Sequence, residues 1–151
     1  MSNFGSTEEI LDFAIKGEEE AAAFYTELAG HVEKDWMKKA LLSFAKEEEG
    51  HKAKLVAIKD GNKLIPAKQT VQDLKIGDYL VDVEAKPGMD YQDALIVAMK
   101  KEKAAFKLYS DLAEATQDKD LRAIFLALAQ EEAKHKLRFE VEYDDVVLKE
   151  N

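Results

Sequence analysis

No cysteine occurs in the 151 residues. That excludes disulfides, thiolate-bound zinc and cysteine-ligated iron–sulfur centres. A cysteine-free chain suits the cytoplasm, which is the expected location. Only two prolines and seven glycines interrupt it, and Ala, Leu, Glu and Lys dominate. So few helix breakers favour an all-α chain. Long apolar runs are missing too: none approaches the roughly 20 residues a membrane span needs. Residues 1–15 have neither a basic start nor an apolar stretch, so no signal peptide is expected. Positive charge is in deficit, with 22 Lys and Arg against 31 Asp and Glu and a formal net charge of −9. Phosphate binding needs a basic face, so nucleic acid is not an expected partner. Buried carboxylates holding divalent cations would add to such a negative count.

What is present is a chain of one domain's length, read as a single domain over 1–151, whose halves resemble each other. Laying residues 16–55 on 100–139 without a gap gives 12 identities in 40 positions. Each half contains a Glu-x-x-His: Glu48 with His51, and Glu132 with His135. The same offset of 84 links Glu18 to Glu102 and Tyr25 to Tyr109. Apolar residues at helical spacing predict four helices. The first follows a capping box at Ser6–Glu9 and carries Ile10, Leu11, Ala14, Ala21, Tyr25 and Leu28. The second runs from about Trp36 to Lys59. The third starts at Asp90, with a stripe that includes Ala94, Leu95, Ala98, Phe106 and Tyr109. The fourth carries Leu121, Ile124, Phe125, Leu128 and Phe139 and is expected to end near Tyr143.

Residues 60–89 hold both prolines and three of the seven glycines. They read as a crossover, with a short helix after Thr70. Short turns join helix 1 to 2 and helix 3 to 4, so each pair forms an antiparallel hairpin. A crossover of this length can return along a helix of about 36 Å. The result is a four-helix bundle with one long connection, the connectivity of ferritin-like folds.

Four glutamates violate the apolar stripes. Glu18 and Glu48 lie 15 residues either side of the first turn, and Glu102 and Glu132 lie 15 either side of the second. At 1.5 Å per residue all four sit roughly 22 Å from a turn, at one level of the bundle. His51 and His135, three residues beyond their glutamates, share the same face. Four buried carboxylates and two imidazoles would cost several kcal/mol per ion without partners. Two dications offset four negative charges, and mixed oxygen and nitrogen ligation suits iron or manganese, with zinc able to intrude. The candidate metal ligands are therefore Glu18, Glu48, His51, Glu102, Glu132 and His135. Tyr25 and Tyr109 read either as core filler or as phenols bonded to a ligand carboxylate. Glu47 and Glu131, four residues before each histidine, read either as surface charges or as groups that orient the imidazoles. His31 has no counterpart in the repeat and reads as a loop histidine. Trp36 reads as packing at a helix start.

The matching residues are Gly17-Glu18-x-x-Ala21-x-x-x-Tyr25, Glu48-x-x-His51, Glu102-x-x-Ala105-x-x-x-Tyr109 and Glu132-x-x-His135. Over nearly the whole chain this pattern resembles the rubrerythrin/ferritin-like di-iron carboxylate family, and the di-iron domain of rubrerythrin most closely. The resemblance implies two iron ions that cycle between diferrous and diferric states while reducing hydrogen peroxide or dioxygen. It makes Glu48 and Glu132 the bridging carboxylates, places Tyr25 and Tyr109 behind the ligands, and suggests a homodimer. Two departures stand out. Rubrerythrin carries a four-cysteine rubredoxin module, absent here, so electrons are expected from a separate rubredoxin-like donor. Rubrerythrin also places a glutamate one turn after the third-helix ligand, where this chain has Ala105, as in the ferritin and bacterioferritin pattern. A ferroxidase or iron-handling protein is the second expectation. A non-enzymatic, metal-stabilised bundle that binds a partner is the third.

Overall fold

The computed structural model describes residues 6–61, 74–81 and 89–150. Four long helices account for most of them: α1 (Thr7–Ala29), α2 (Asp35–Asp60), α3 (Tyr91–Ala115) and α4 (Lys119–Glu150). Local chemistry sets their ends. Ser6 Oγ accepts the Glu9 N–H at 3.1 Å and Asp90 Oδ1 accepts the Asp93 N–H at 2.8 Å, so α1 and α3 start on side-chain caps. Asp118 Oδ1 accepts the Leu121 N–H at 3.0 Å ahead of α4. The α3–α4 turn is then closed by Arg122, whose guanidinium donates to the Ala113 and Thr116 carbonyls. These carbonyls lie at the end of α3, where helix geometry leaves acceptors unmatched. No helix among the described residues is long and apolar enough to cross a membrane.

α1 packs along α2, and α3 along α4, as two antiparallel hairpins. The backbones of the two hairpins stay further apart, and side chains fill the space between them. That filling is layered. One apolar cluster joins Ile10, Leu55, Leu112, Phe125 and Leu128 at one end of the bundle. The other joins Tyr25, Met37, Leu41, Leu95 and Phe139 at the opposite end. Between them lies a polar slab. The start of α1 therefore meets the end of α3, and the hairpins are related by an approximate two-fold axis, as the 84-residue offset implies.

Of the 60–89 crossover, the described part is a 3-10 turn at Ile76–Tyr79 and its flanks. The short helix expected after Thr70 falls largely outside the described residues. Tyr79 is buried, and its hydroxyl donates to Asp111 Oδ2 at 2.8 Å, which fastens the crossover to α3.

Two sequence expectations are corrected. Phe106 and Ile124, counted in the inward stripes, are exposed. The buried face of α3 is centred on Leu95, Ala98 and Tyr109, and Phe106 falls on its outer flank. In addition α4 does not stop near Tyr143 but continues to Glu150. The extra turns hold because Glu142 is buried, accepts the Tyr91 hydroxyl at 2.6 Å and lies 3.5 Å from Lys34 Nζ. Tyr143 and Val146 pack on the adjoining apolar cluster. Tyr91→Phe should therefore lower stability by about 1.5–3 kcal/mol, the usual worth of a hydrogen bond to a charged group. An unchanged urea midpoint would contradict this account of the α4 extension.

Candidate metal centre

The polar slab consists of Glu18 on α1, Glu48 and His51 on α2, Glu102 on α3, and Glu132 and His135 on α4. Each is at most 3% exposed. Each helix delivers its residues because the apolar stripe around them is buried and they occupy the same stripe. The slab offers two overlapping ligand sets. Glu18, Glu48, His51 and Glu132 bring one ligand atom each to within 4.8 Å of one another, and so do Glu48, Glu102, Glu132 and His135. Glu48 and Glu132 belong to both sets, so they lie between the two positions a cation could take.

His51 Nδ1 stands 3.1 Å from Glu48, 3.4 Å from Glu18 and 3.4 Å from Glu132. His135 Nδ1 stands 3.5–3.6 Å from Glu102, Glu48 and Glu132. None of these approaches is a hydrogen bond. Glu18 Oε2, Glu48 Oε1, Glu102 Oε2, Glu132 Oε1 and both Nδ1 atoms are buried without a hydrogen-bond partner. Unpartnered buried polar atoms are rare and costly. Here there is one on each of the six residues, and all are atoms a metal ion uses. One further polar atom on each of Glu18, Glu102, His51 and His135 is held from behind, in pairs that cross between the hairpins. Tyr25 on α1 donates to Glu102 on α3, and Tyr109 on α3 donates to Glu18 on α1. His51 Nε2 is bonded to Glu131 on α4, and His135 Nε2 to Glu47 on α2 at 3.0 Å. The two uses left open for Glu47 and Glu131 are thus combined: both carboxylates are partly exposed, and both fix an imidazole. A carboxylate accepts, so it holds the ring proton on Nε2 and turns the Nδ1 lone pair toward the centre.

The titration of the slab reflects its demand for positive charge. Burial would lower both imidazole pKa values, but the facing carboxylates outweigh it. Glu132, Glu18 and Glu48 hold His51 far above its ordinary range, and Glu102 with Glu48 and Glu47 pushes His135 up to about 9. Burial drives Glu102 up to about 7 and also raises Glu18 and Glu132. Glu48 moves down: burial opposes this, but His51, Glu132 and His135 around it prevail. Burial, followed by the nearby carboxylates, keeps Tyr25 and Tyr109 in the phenol form.

A cavity of about 530 Å3 reaches this slab between α1 and α3. Glu18, Glu48, Glu102 and Glu132 form its floor, and Gly17, Ala105 and the crossover residues Tyr79 to Val81 line its sides. The histidines lie on the opposite side, toward α2 and α4. Three features carried no clear sequence signal. Phe44 stacks on the His135 ring at 4.2 Å, and the repeat places Leu128 there in the other half. Glu142 stands seven residues beyond His135 on the same face, inside the expected fourth helix, but it has no glutamate counterpart in the repeat, where Ile58 stands. The cavity depends on how far apart two helices stand, which spacing does not show. His31 is exposed in the α1–α2 turn. Trp36 is 45% exposed, with the Arg138 guanidinium 4.5 Å from its ring.

The fold and this cluster define a ferritin-like bundle of the di-iron carboxylate class. The chain belongs to the rubrerythrin family, whose sequence model matches residues 9–143. Among solved structures it is similar to a proposed ferritin-like diiron-carboxylate protein from Thermotoga maritima, at 21% identity and a TM-score of 0.78. That match covers 97% of this chain and 99% of that one. It is also similar to a hypothetical protein from Pyrococcus furiosus, at 25% identity and a TM-score of 0.68, covering 91% and 87%. No curated relative matches it by sequence.

Metal uptake should release protons, because ligation needs deprotonated carboxylates and a free Nδ1 lone pair. Apparent affinity should therefore rise as pH passes through about 7, where Glu102 loses its proton, and go on rising through about 9, where His135 does. Calorimetric titration of the metal-free chain should give heats that vary with the ionisation enthalpy of the buffer. Buffer-independent heats would contradict the protonation described.

Proposed function

We propose that this chain is a non-haem di-iron oxidoreductase that reduces hydrogen peroxide or dioxygen with electrons from a separate donor protein. The observation that carries the reading is the set of six buried, unpartnered ligand atoms, one on each of Glu18, Glu48, His51, Glu102, Glu132 and His135. Protons alone would satisfy such a cluster poorly, and two dications match its four carboxylates in charge. Iron is the proposed occupant, because mixed oxygen and nitrogen ligation suits it and the family favours it. When bound, two adjacent irons supply the pair of electrons that breaking an O–O bond requires.

The chain's own residues do the remainder. Glu48 and Glu132, shared by both ligand sets, keep the two positions close. Tyr25 and Tyr109 each hold one oxygen of a glutamate on the other hairpin, which leaves its second oxygen for the metal. Glu47 and Glu131 fix the imidazole rings and raise their basicity as ligands. The apolar clusters on either side keep bulk water from the slab. The cavity over Glu18 and Glu102 gives a small oxidant a way in.

Protein expressed with iron should contain about two irons per chain. Its near-ultraviolet absorption should bleach on reduction and return with peroxide. Glu48→Ala or His135→Ala should abolish both the metal content and the response. Zinc or no metal, with no spectral change, would overturn the redox reading in favour of a structural bundle. Continued Fe(II) oxidation with release of Fe(III) and no need for a reductant would make iron the substrate instead.

A further inference from the structure

The cavity is far larger than hydrogen peroxide or dioxygen requires. A water takes up about 30 Å3 of liquid, and hydrogen peroxide has only one oxygen more. The 530 Å3 here falls within the roughly 300–1,000 Å3 of pockets that hold small organic molecules. Its walls are chiefly apolar, from Phe13 and Ala14 on α1, Ala104, Ala105 and Leu108 on α3, and Val81 of the crossover, with Lys16, Glu20 and Lys101 also on the lining. Its floor is formed by four buried glutamates, and Glu18 Oε2 and Glu102 Oε2 are among their unpartnered atoms. Gly17 lies at the exposed mouth of the cavity. A Cβ placed on Gly17 would meet nothing within 4 Å. A glycine in a helix interior costs roughly 0.5–1 kcal/mol relative to alanine, yet no neighbour requires one here.

The two ends of the cavity set the chemistry of an occupant. The apolar walls suit a hydrocarbon body. In the metal-free chain the carboxylate floor disfavours an anionic head and accepts a neutral one that can donate a hydrogen bond. We propose that the cavity binds an organic hydroperoxide, R–O–OH, with its apolar R group against the walls and its hydroperoxide end at the Glu18–Glu102 floor. The chemical step rests on the di-iron reading above, whereas the binding does not. In that step R–O–OH takes up two electrons and two protons and becomes R–OH and water. The O–O bond breaks and both of its oxygens are reduced. The electrons come one at a time from the external carrier protein, and the protons come from solvent.

Binding is tested on the metal-free chain with cumyl alcohol, the product of cumene hydroperoxide, by calorimetric titration. Saturable binding of one alcohol per chain is expected. Gly17→Leu and Ala105→Leu fill the cavity from opposite helices, and each should weaken binding by about tenfold. Gly17→Leu should not lower the melting temperature, so loss of binding there cannot be read as loss of fold. In the iron-loaded protein both variants should reduce the ratio of kcat/KM for cumene hydroperoxide to that for hydrogen peroxide by a similar factor. No saturable binding, or binding that neither variant weakens, would overturn the proposal. If the metal-free chain binds the alcohol as expected but the protein takes up no redox metal, the hydroperoxide step falls together with the di-iron reading, and the apolar site stands.

Discussion

The structure depends on one electrostatic constraint: four carboxylates and two imidazoles, each almost fully buried, are held in one slab with too few partners. An ionised group moved from water into such surroundings costs several kcal/mol unless its charge is matched. Each helix contributes at least one member of the slab, and Glu18, Glu102, His51 and His135 are each backed by a residue from the other hairpin. Tyr25, Tyr109, Glu47 and Glu131 leave the inward atoms uncommitted. The hydrogen bonds of the cluster thus lie on its outside, at Glu18, Glu102, His51 and His135, and are absent at its centre. That distribution is what a site for cations needs, and it would be a poor way to build a core.

The rest of the bundle serves this slab. The apolar clusters at either end supply the burial energy of the fold, while the interior of the slab contributes none. Stability and chemistry are therefore divided along the bundle axis. A second division runs across it. The imidazoles and their supporting carboxylates occupy the α2–α4 side, and the cavity opens on the α1–α3 side. The groups that hold the imidazoles and the cavity therefore do not compete for the same surface. The crossover, fastened by Tyr79 to Asp111, borders the cavity and so belongs to the functional face.

Much of this was legible in the sequence because duplication left a register that could be counted. Glu18, Glu48, Glu102 and Glu132 are equidistant from their turns, and an ideal helix converts equal spacing into equal height. The cross-hairpin roles of Tyr25 and Tyr109 were half legible: spacing put them on the right face but could not choose packing over hydrogen bonding. Where the two halves differ, the sequence was less informative. Glu142 falls where the repeat has Ile58, and the turns of α4 after Asp144 have no equivalent in α2, which ends at Asp60. The acidic run around Asp144 concealed a face that Val146 still buries. Phe106 and Ile124 were misplaced because an apolar residue at helical spacing fits either edge of a stripe. Only packing against a neighbour decides which edge is covered. The cavity arises from small residues on two helices facing each other across a gap, a relation between elements that no single stripe contains.

The central claim is that six residues jointly hold two metal ions. Anomalous diffraction from crystals of the iron-loaded protein tests it most directly. The account predicts two peaks inside the bundle, about 3.5–4 Å apart, with Glu48 and Glu132 between them and the Nδ1 atoms of His51 and His135 at opposite ends. A single peak, or peaks confined to the acidic surface with the slab empty, would contradict it.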